Sequence, residues 1–279
     1  MVIDFHTHTF PERIATAAIV KMQADCHSVA FTEGTEVALC SSMSKADIDF
    51  SVVLPVITNP LKTSSINAVS KEKNGNKGLF FFGGIHPDSP NISDELFRLA
   101  QAGIKGIKIH PVYQGVDIDD IRFLRILYAA AENGLIVVTH TGYDIGFPGV
   151  VRCSPKMLLN AIKQVGNLKL VAAHMGGWRN WQEAAELLSD TEIFIDTAFS
   201  FGKITPIDSN YYSEEELKLL GKQQFLELIR LFGSKRVLFG TDSPWDCQKT
   251  AKTEIAALPL SENERENIFS NNARMLLGI

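Results

Sequence analysis

The chain has no long apolar run, no block of like charge and no glycine-rich phosphate turn, and each absence removes a class of function. Apolar stretches such as Leu79-Phe80-Phe81-Phe82 fall far short of the roughly 20 residues that a bilayer-spanning helix needs. Lysine and arginine are scattered and the formal net charge is −5, so nucleic acid and anionic membranes are poor partners. Four cysteines without a Cys-x-x-Cys spacing are too few for a disulfide scaffold and read as free thiols in a reducing compartment. Strand-like sequence begins at residue 2, which leaves no room for a secretory leader, and a cytoplasmic protein is expected. No low-complexity tract or Pro/Gly/Ser linker divides the chain, so residues 1–279 are read as one domain. The expected partner is a small-molecule substrate, with a homodimer the one macromolecular assembly left open.

What is present begins with Ile3-Asp4-Phe5-His6-Thr7-His8, which alternates apolar and polar residues at the period of a strand. Residues two apart on a strand share a face, so His6 and His8 project together, their backbones roughly 7 Å apart. By the same period Asp4 is expected to face inward and buttress a ligand. Seven further runs read as strands: 50–56, 79–86, 106–110, 135–140, 169–174, 192–197 and 236–242. Most are almost continuously apolar, as strands buried on both faces of a parallel sheet must be.

Helical patterns fill the intervals. Ser93 is expected to open one that runs to Gly103, and Asp117 one that spans 118–133. Ser154-Pro155 places a cap and a first-turn proline ahead of 156–165, and Asn180 is expected to cap a helix to Leu188. Ser213 with Glu216, and Ser261 with Glu264, have capping-box spacing. Eight strand-helix units in this length describe a (β/α)8 TIM barrel. A doubly wound open sheet is the alternative, but it would want a glycine-rich turn where Thr9-Phe10-Pro11-Glu12 stands. Long inter-element segments at 26–47, 142–153 and 199–212 are expected at the mouth of the barrel; the last two, rich in Tyr, Phe, Pro and Gly, read as walls or lids, and the first reads nearly as well as an irregular surface loop.

Six of the seven histidines fall at strand ends: His6 and His8 on the first, then His86, His110, His140 and His174 on the third to the sixth. The eighth strand ends in Gly240-Thr241-Asp242. In a barrel those ends ring one mouth, where catalytic residues gather, so a divalent-metal site is expected there. His86 and His110 are candidates for substrate contact. Arg152, Arg179, Tyr143 and Trp245 lie just beyond strand ends and are candidates to bind a carboxylate and an unsaturated body. His27 is read as a loop residue and Cys247 as a buried thiol.

These motifs resemble the amidohydrolase superfamily, in its branch related to aminocarboxymuconate-semialdehyde decarboxylase. The resemblance runs along the whole chain, through Asp4-x-His6-x-His8-Thr9-Phe10-Pro11-Glu12, Gly106-Ile-Lys-Ile-His-Pro111, Thr139-His140-Thr141-Gly142, Ala173-His174-Met175-Gly176-Gly177 and Gly240-Thr241-Asp242-Ser243-Pro244-Trp245. It implies one metal ion, most often Zn2+ with Mn2+ as the alternative, held by His6, His8, His140 and Asp242. It makes His174 catalytic, with Asp242 also receiving a proton. Some relatives carry a carboxylated lysine bridging two metals, and Lys108 stands at the corresponding strand end. The activity implied is hydrolysis of a small acidic amide, ester or lactone; non-oxidative decarboxylation (a carboxy-lyase) or hydration on the same ligands is the alternative.

Overall fold

The computed structural model describes residues 1–279. Its parallel strands are β1 (Ile3–Thr7), β2 (Phe50–Val53), β3 (Leu79–Phe81), β4 (Gly83–Gly84), β5 (Gly106–Ile109), β6 (Ile136–Thr139), β7 (Leu170–Ala172), β8 (Phe194–Asp196) and β9 (Val237–Leu238). They form one run β1-β2-β3 and a second run β4 to β9 in sequence order. The stretch expected as a single third strand is broken at Phe82: residues 79–81 pair with β2, and residues 83–84 pair with β5. Backbone bonds also carry the last strand to the first, Phe5 N–H to Phe239 O at 2.8 Å and Asp242 N–H to His6 O at 2.8 Å, with a parallel bridge between Thr7 and Ser243. The architecture is a (β/α)8 barrel of eight strand units.

Burial on both faces explains the apolar strand sequences. Odd residues of β5 and β6 (Ile107, Ile109, Val137) join the large cluster shared with the helices. Ile136, Val138, Val171 and Leu238 instead form a second cluster with Val52, Leu54, Phe5 and Phe82. On β5 the residues alternating with Ile107 and Ile109 are Gly106, Lys108 and His110. A Cβ on Gly106 would collide with the Phe82 ring, so only glycine lets that ring pack against the strand.

Several helix boundaries move from their expected places. The third-unit helix starts at Ile92 after Asn91, which adopts a left-handed conformation, and Ser93 sits inside the first turn. The fourth starts at Ile121, capped by Asp120 rather than Asp117; the side chain of Asp120 accepts from Arg122 N–H. Segment 26–47 is not an open loop. It contains a helix, Glu36–Ala46, capped by Thr35, whose buried Leu39, Met43 and Ala46 fall at helical spacing and pack it toward helix Gln248–Ala256. Ser154, Ser213 and Ser261 cap as expected, whereas Asn180 holds the cap position without a side-chain bond. Ser213 opens only the short helix Glu214–Leu217, and a longer one follows at Lys222–Phe232. No helix is long and apolar enough to cross a membrane.

Asp4 departs from its expected orientation. The ladder register shifts between Asp4 and Thr7, so strict alternation ends there. Its carboxylate instead accepts from Thr241 N–H (3.0 Å), Thr241 Oγ1 (2.6 Å), Gln248 Nε2 (2.7 Å) and His6 N–H (3.2 Å). It therefore ties the first strand to the residue before Asp242, through the backbone rather than through a ring. Asp4→Ala leaves these buried donors without an acceptor, and the expected loss of unfolding free energy is about 1–3 kcal/mol in urea titrations. An unchanged midpoint would show that this tie contributes nothing.

Candidate metal centre

The strand ends deliver their polar residues into one buried cluster. His6 Nε2 and His8 Nε2 lie 3.2 Å apart, and Asp242 Oδ1 is 3.3 Å from the first and 3.1 Å from the second. His140 Nδ1 lies 3.0 Å from His174 Nε2, and the His174 ring centre is 5.1 Å from that of His6. His140 thus meets the His6–His8–Asp242 group across His174 rather than by direct contact. Lys108 is buried, with Nζ 3.2 Å from His6 Nε2.

Each of these four rings has its other nitrogen engaged by a fixed acceptor. His6 Nδ1 faces Asp196 Oδ2 at 2.8 Å and His8 Nδ1 faces Leu54 O at 2.7 Å. His140 Nε2 faces Tyr143 O at 2.9 Å and His174 Nδ1 faces Ala198 O at 3.0 Å. A nitrogen that meets a carbonyl or carboxylate oxygen must carry the ring proton, because those oxygens only accept. Where the ring is neutral, as burial makes His6 and His140, the second nitrogen then presents a lone pair to its neighbours. Two facing lone pairs repel, and a carboxylate beside them adds to the repulsion, unless a cation lies between. The Lys108 ammonium lies within hydrogen-bond distance of one of these nitrogens, His6 Nε2.

The spacing matches such a cation. Donors at 2.0–2.1 Å from a tetrahedral Zn2+ stand about 3.3 Å from one another, as the three donor atoms of His6, His8 and Asp242 do here. The set of neutral nitrogens and one carboxylate fits a divalent ion.

Burial sets the protonation states that this requires. It holds His6, His110 and His140 well below the ordinary histidine range, so these rings are neutral at pH 7. It lowers Lys108 to about 8. Asp242 is held below its usual range, although burial acts in the opposite direction. Burial raises Asp196, against the lowering influence of His174.

Backbone conformation aims these groups. His174, Met175 and Asp242 all have positive φ, at 63°, 56° and 64°. For residues with a Cβ such conformations cost of order 1 kcal/mol or more each and gather at functional sites. Gly142, with φ of 91°, lies against the backbone of Trp178, where a Cβ would collide. That close approach lets Tyr143 N–H reach Trp178 O and sets Tyr143 O against the Nε2 edge of the His140 ring.

The remaining expected residues are placed as follows. The ring of His110 stacks on that of His140, with centres 4.2 Å apart, and its Nε2 is 3.4 Å from Asp144 Oδ2. His86 is bonded within its own turn, accepting from Asp88 N–H, and makes no hydrogen bond to the cluster. Tyr143 contributes its carbonyl rather than its ring. Trp245 packs on the apolar group of Trp178, Phe199, Ile204 and Leu219. Neither arginine reaches the cluster: Arg152 pairs with Asp117 at 3.0 Å, and Arg179 donates to Glu216 O while lying over the Trp178 ring. His27 ends helix Glu12–Cys26 and stacks on Tyr211, and Cys247 is half-buried rather than buried. Two acidic residues that touch these rings, Asp144 and Asp196, do not stand out in the sequence. Asp196 sits at the end of a strand, where the rule that picked out the histidines would also have selected it.

A (β/α)8 barrel with neutral histidines and a carboxylate converging at its C-terminal mouth defines a class of metal-dependent barrel enzymes. Comparison with protein families makes this specific: residues 3–279 match the amidohydrolase family, and the chain belongs to it. No curated protein sequence matches. Among solved structures, an uncharacterised TIM-barrel protein from Bordetella bronchiseptica superposes with TM-score 0.74 at 17% identity, covering 99% of this chain and 98% of that one. A dihydroxybenzoic acid decarboxylase from Polaromonas sp. JS666, with bound manganese and an inhibitor, gives TM-score 0.68 at 13% identity, covering 99% and 96%. A protein assigned as a 2-pyrone-4,6-dicarboxylic acid hydrolase from Pseudomonas putida gives 0.64 at 17% identity, covering 99% and 97%. The protein is a metal-dependent enzyme of the amidohydrolase superfamily, a group whose structures include both hydrolases and carboxy-lyases.

Because burial keeps His6 and His140 neutral, protons should compete with metal only below the ordinary histidine pKa of about 6.5. Zn2+ affinity measured by chelator competition is expected to hold from pH 8 to about 6.5 and to fall below that. A tenfold loss between pH 8 and 7 would contradict neutral buried rings.

Proposed function

We propose that the protein is a hydrolase that uses one divalent metal ion to attack a small amide, ester or lactone with water. The observation that supports this most directly is the convergence of His6 Nε2, His8 Nε2 and Asp242 Oδ1 at tetrahedral spacing. Those three residues would hold the ion, with His140 Nδ1 as the further donor. Zn2+ suits this nitrogen-rich set, and Mn2+ is the alternative favoured by the manganese in the dihydroxybenzoic acid decarboxylase. When bound, such an ion lowers the pKa of a coordinated water to about 7 and polarises a carbonyl.

The protein's own groups supply the rest. Asp242 contacts the rings through Oδ1, which leaves Oδ2 to take the proton that water loses on attacking the carbonyl carbon. As the bond to the leaving group breaks, that proton passes to the leaving oxygen or nitrogen. His174, its Nδ1–H fixed on Ala198 O, offers an Nε2 lone pair that would take up that proton and, as an imidazolium, deliver it to the leaving oxygen or nitrogen. Trp245 and the apolar group around Trp178 would flank the substrate body. The acidic substrate expected from Arg152 and Arg179 has less support, since both guanidinium groups are engaged elsewhere.

Non-oxidative decarboxylation is the second reading, favoured by the decarboxylases among the structural neighbours. It needs a substrate carboxylate held so that electrons flow into a conjugated system, and no arginine stands ready at the cluster to hold one. The Lys108 ammonium is the only buried cation there. A bridging carboxylated Lys108 with a second metal is a variant of either reading, and mass analysis of the native protein would reveal the added mass.

A panel of lactones, amides and aromatic carboxylates, assayed in parallel for acid release and CO2 release, separates the two chemistries. Acid release without CO2 is expected. In the same enzyme, His140→Ala should lose most bound metal, whereas His174→Ala should retain it and lose turnover by about 100-fold or more. Release of the ion from His174→Ala would reverse the division of roles.

A further inference from the structure

Asp196, at the end of β8, is fully buried and divides its two carboxylate oxygens between two histidines. Oδ2 lies 2.8 Å from His6 Nδ1. Oδ1 accepts from the backbone N–H of His174 at 2.8 Å and of Ala198 at 3.2 Å. The backbone carbonyl of the same residue accepts from Met175 N–H at 2.7 Å. Met175 and His174 are the two consecutive residues with positive φ that swing the His174 ring toward the cluster.

Resting on the metal reading above, we propose that Asp196 is a positioning residue with two separable tasks. Through Oδ2 it keeps the proton of His6 on Nδ1, so that Nε2 is free as a metal donor. Through Oδ1 and its carbonyl it holds the left-handed turn that delivers His174. The first task follows from chemistry: an ionised carboxylate only accepts, so the ring nitrogen facing it carries the proton and the remote nitrogen does not. A carboxylate behind a histidine ligand sets its orientation and tautomer and is worth 10–100-fold in metal affinity. The second follows from the backbone, since the turn would otherwise leave the N–H groups of His174 and Met175 buried without acceptors.

An isosteric substitution separates the tasks. In Asp196→Asn the amide oxygen must stay with the two backbone N–H groups, because an amide NH2 there would face two donors. The NH2 is then turned to His6 Nδ1, to which it donates, and the ring proton moves to Nε2. Zn2+ affinity, measured by chelator competition, is expected to fall 10–100-fold, while the thermal midpoint of the metal-free protein changes little. In 15N-histidine-labelled metal-free protein, His6 should carry its proton on Nδ1 in the wild type and on Nε2 in Asp196→Asn. Asp196→Ala, which removes the first task and the Oδ1 part of the second, should lower affinity and stability together.

Wild-type affinity in Asp196→Asn, or a His6 proton on Nε2 in the wild type, would overturn the assignment. If the wild type itself binds no Zn2+, the metal reading fails, and the tautomer measurement still decides the role of Asp196.

Discussion

Lone pairs held face to face are the constraint on which this structure turns. Four imidazoles, each with one nitrogen bonded to a carbonyl or carboxylate, point the other at close quarters inside a buried mouth, with Asp242 among them. Burial keeps at least His6 and His140 neutral and so prevents the simplest relief, protonation. Apart from the Lys108 ammonium beside His6, the cluster faces acceptor to acceptor, an arrangement that a divalent cation would relieve, which ties the chemistry of the site to the fold that compresses it.

The scaffold bears the cost of that compression at a few identifiable places. Positive φ at His174, Met175 and Asp242 stores strain where side chains must be turned inward. The strain is offset by hydrogen bonds between neighbouring strand ends: Asp4 to Thr241, Asp196 to His174 and Met175, and the 142–143 backbone to Trp178. Each tie joins residues distant in sequence, so the donors come together only after the barrel has formed. The acceptors behind the rings matter as much as the rings, because they choose which nitrogen is offered.

Fold class and most of the site were legible in the chain, for a physical reason. Strands buried on both faces must be apolar, so polar residues that recur at their C-terminal ends stand out, and His6, His8, His110, His140, His174 and Asp242 did. Capping serines at 154, 213 and 261 were legible because they act within one helical turn. Asp196 satisfies the same strand-end rule, but it stands alone as a carboxylate within its strand rather than in a repeated histidine pattern. The 36–46 helix was missed although Leu39, Met43 and Ala46 carry its period.

The rest depended on contacts that no local pattern encodes. Alternation predicted an inward Asp4, but a register shift in β1 sends its carboxylate to Thr241 and Gln248. Proximity to a strand end suggested Arg152 and Arg179 for the substrate, yet ordinary surface partners hold both. By itself the sequence determined that donors would gather at one end of a barrel, because periodicity and burial are properties of short segments. Only the tertiary structure decided which nitrogen each ring presents, which carboxylate stands behind it and which arginines stay away, because those outcomes are set by neighbours that the closing barrel supplies.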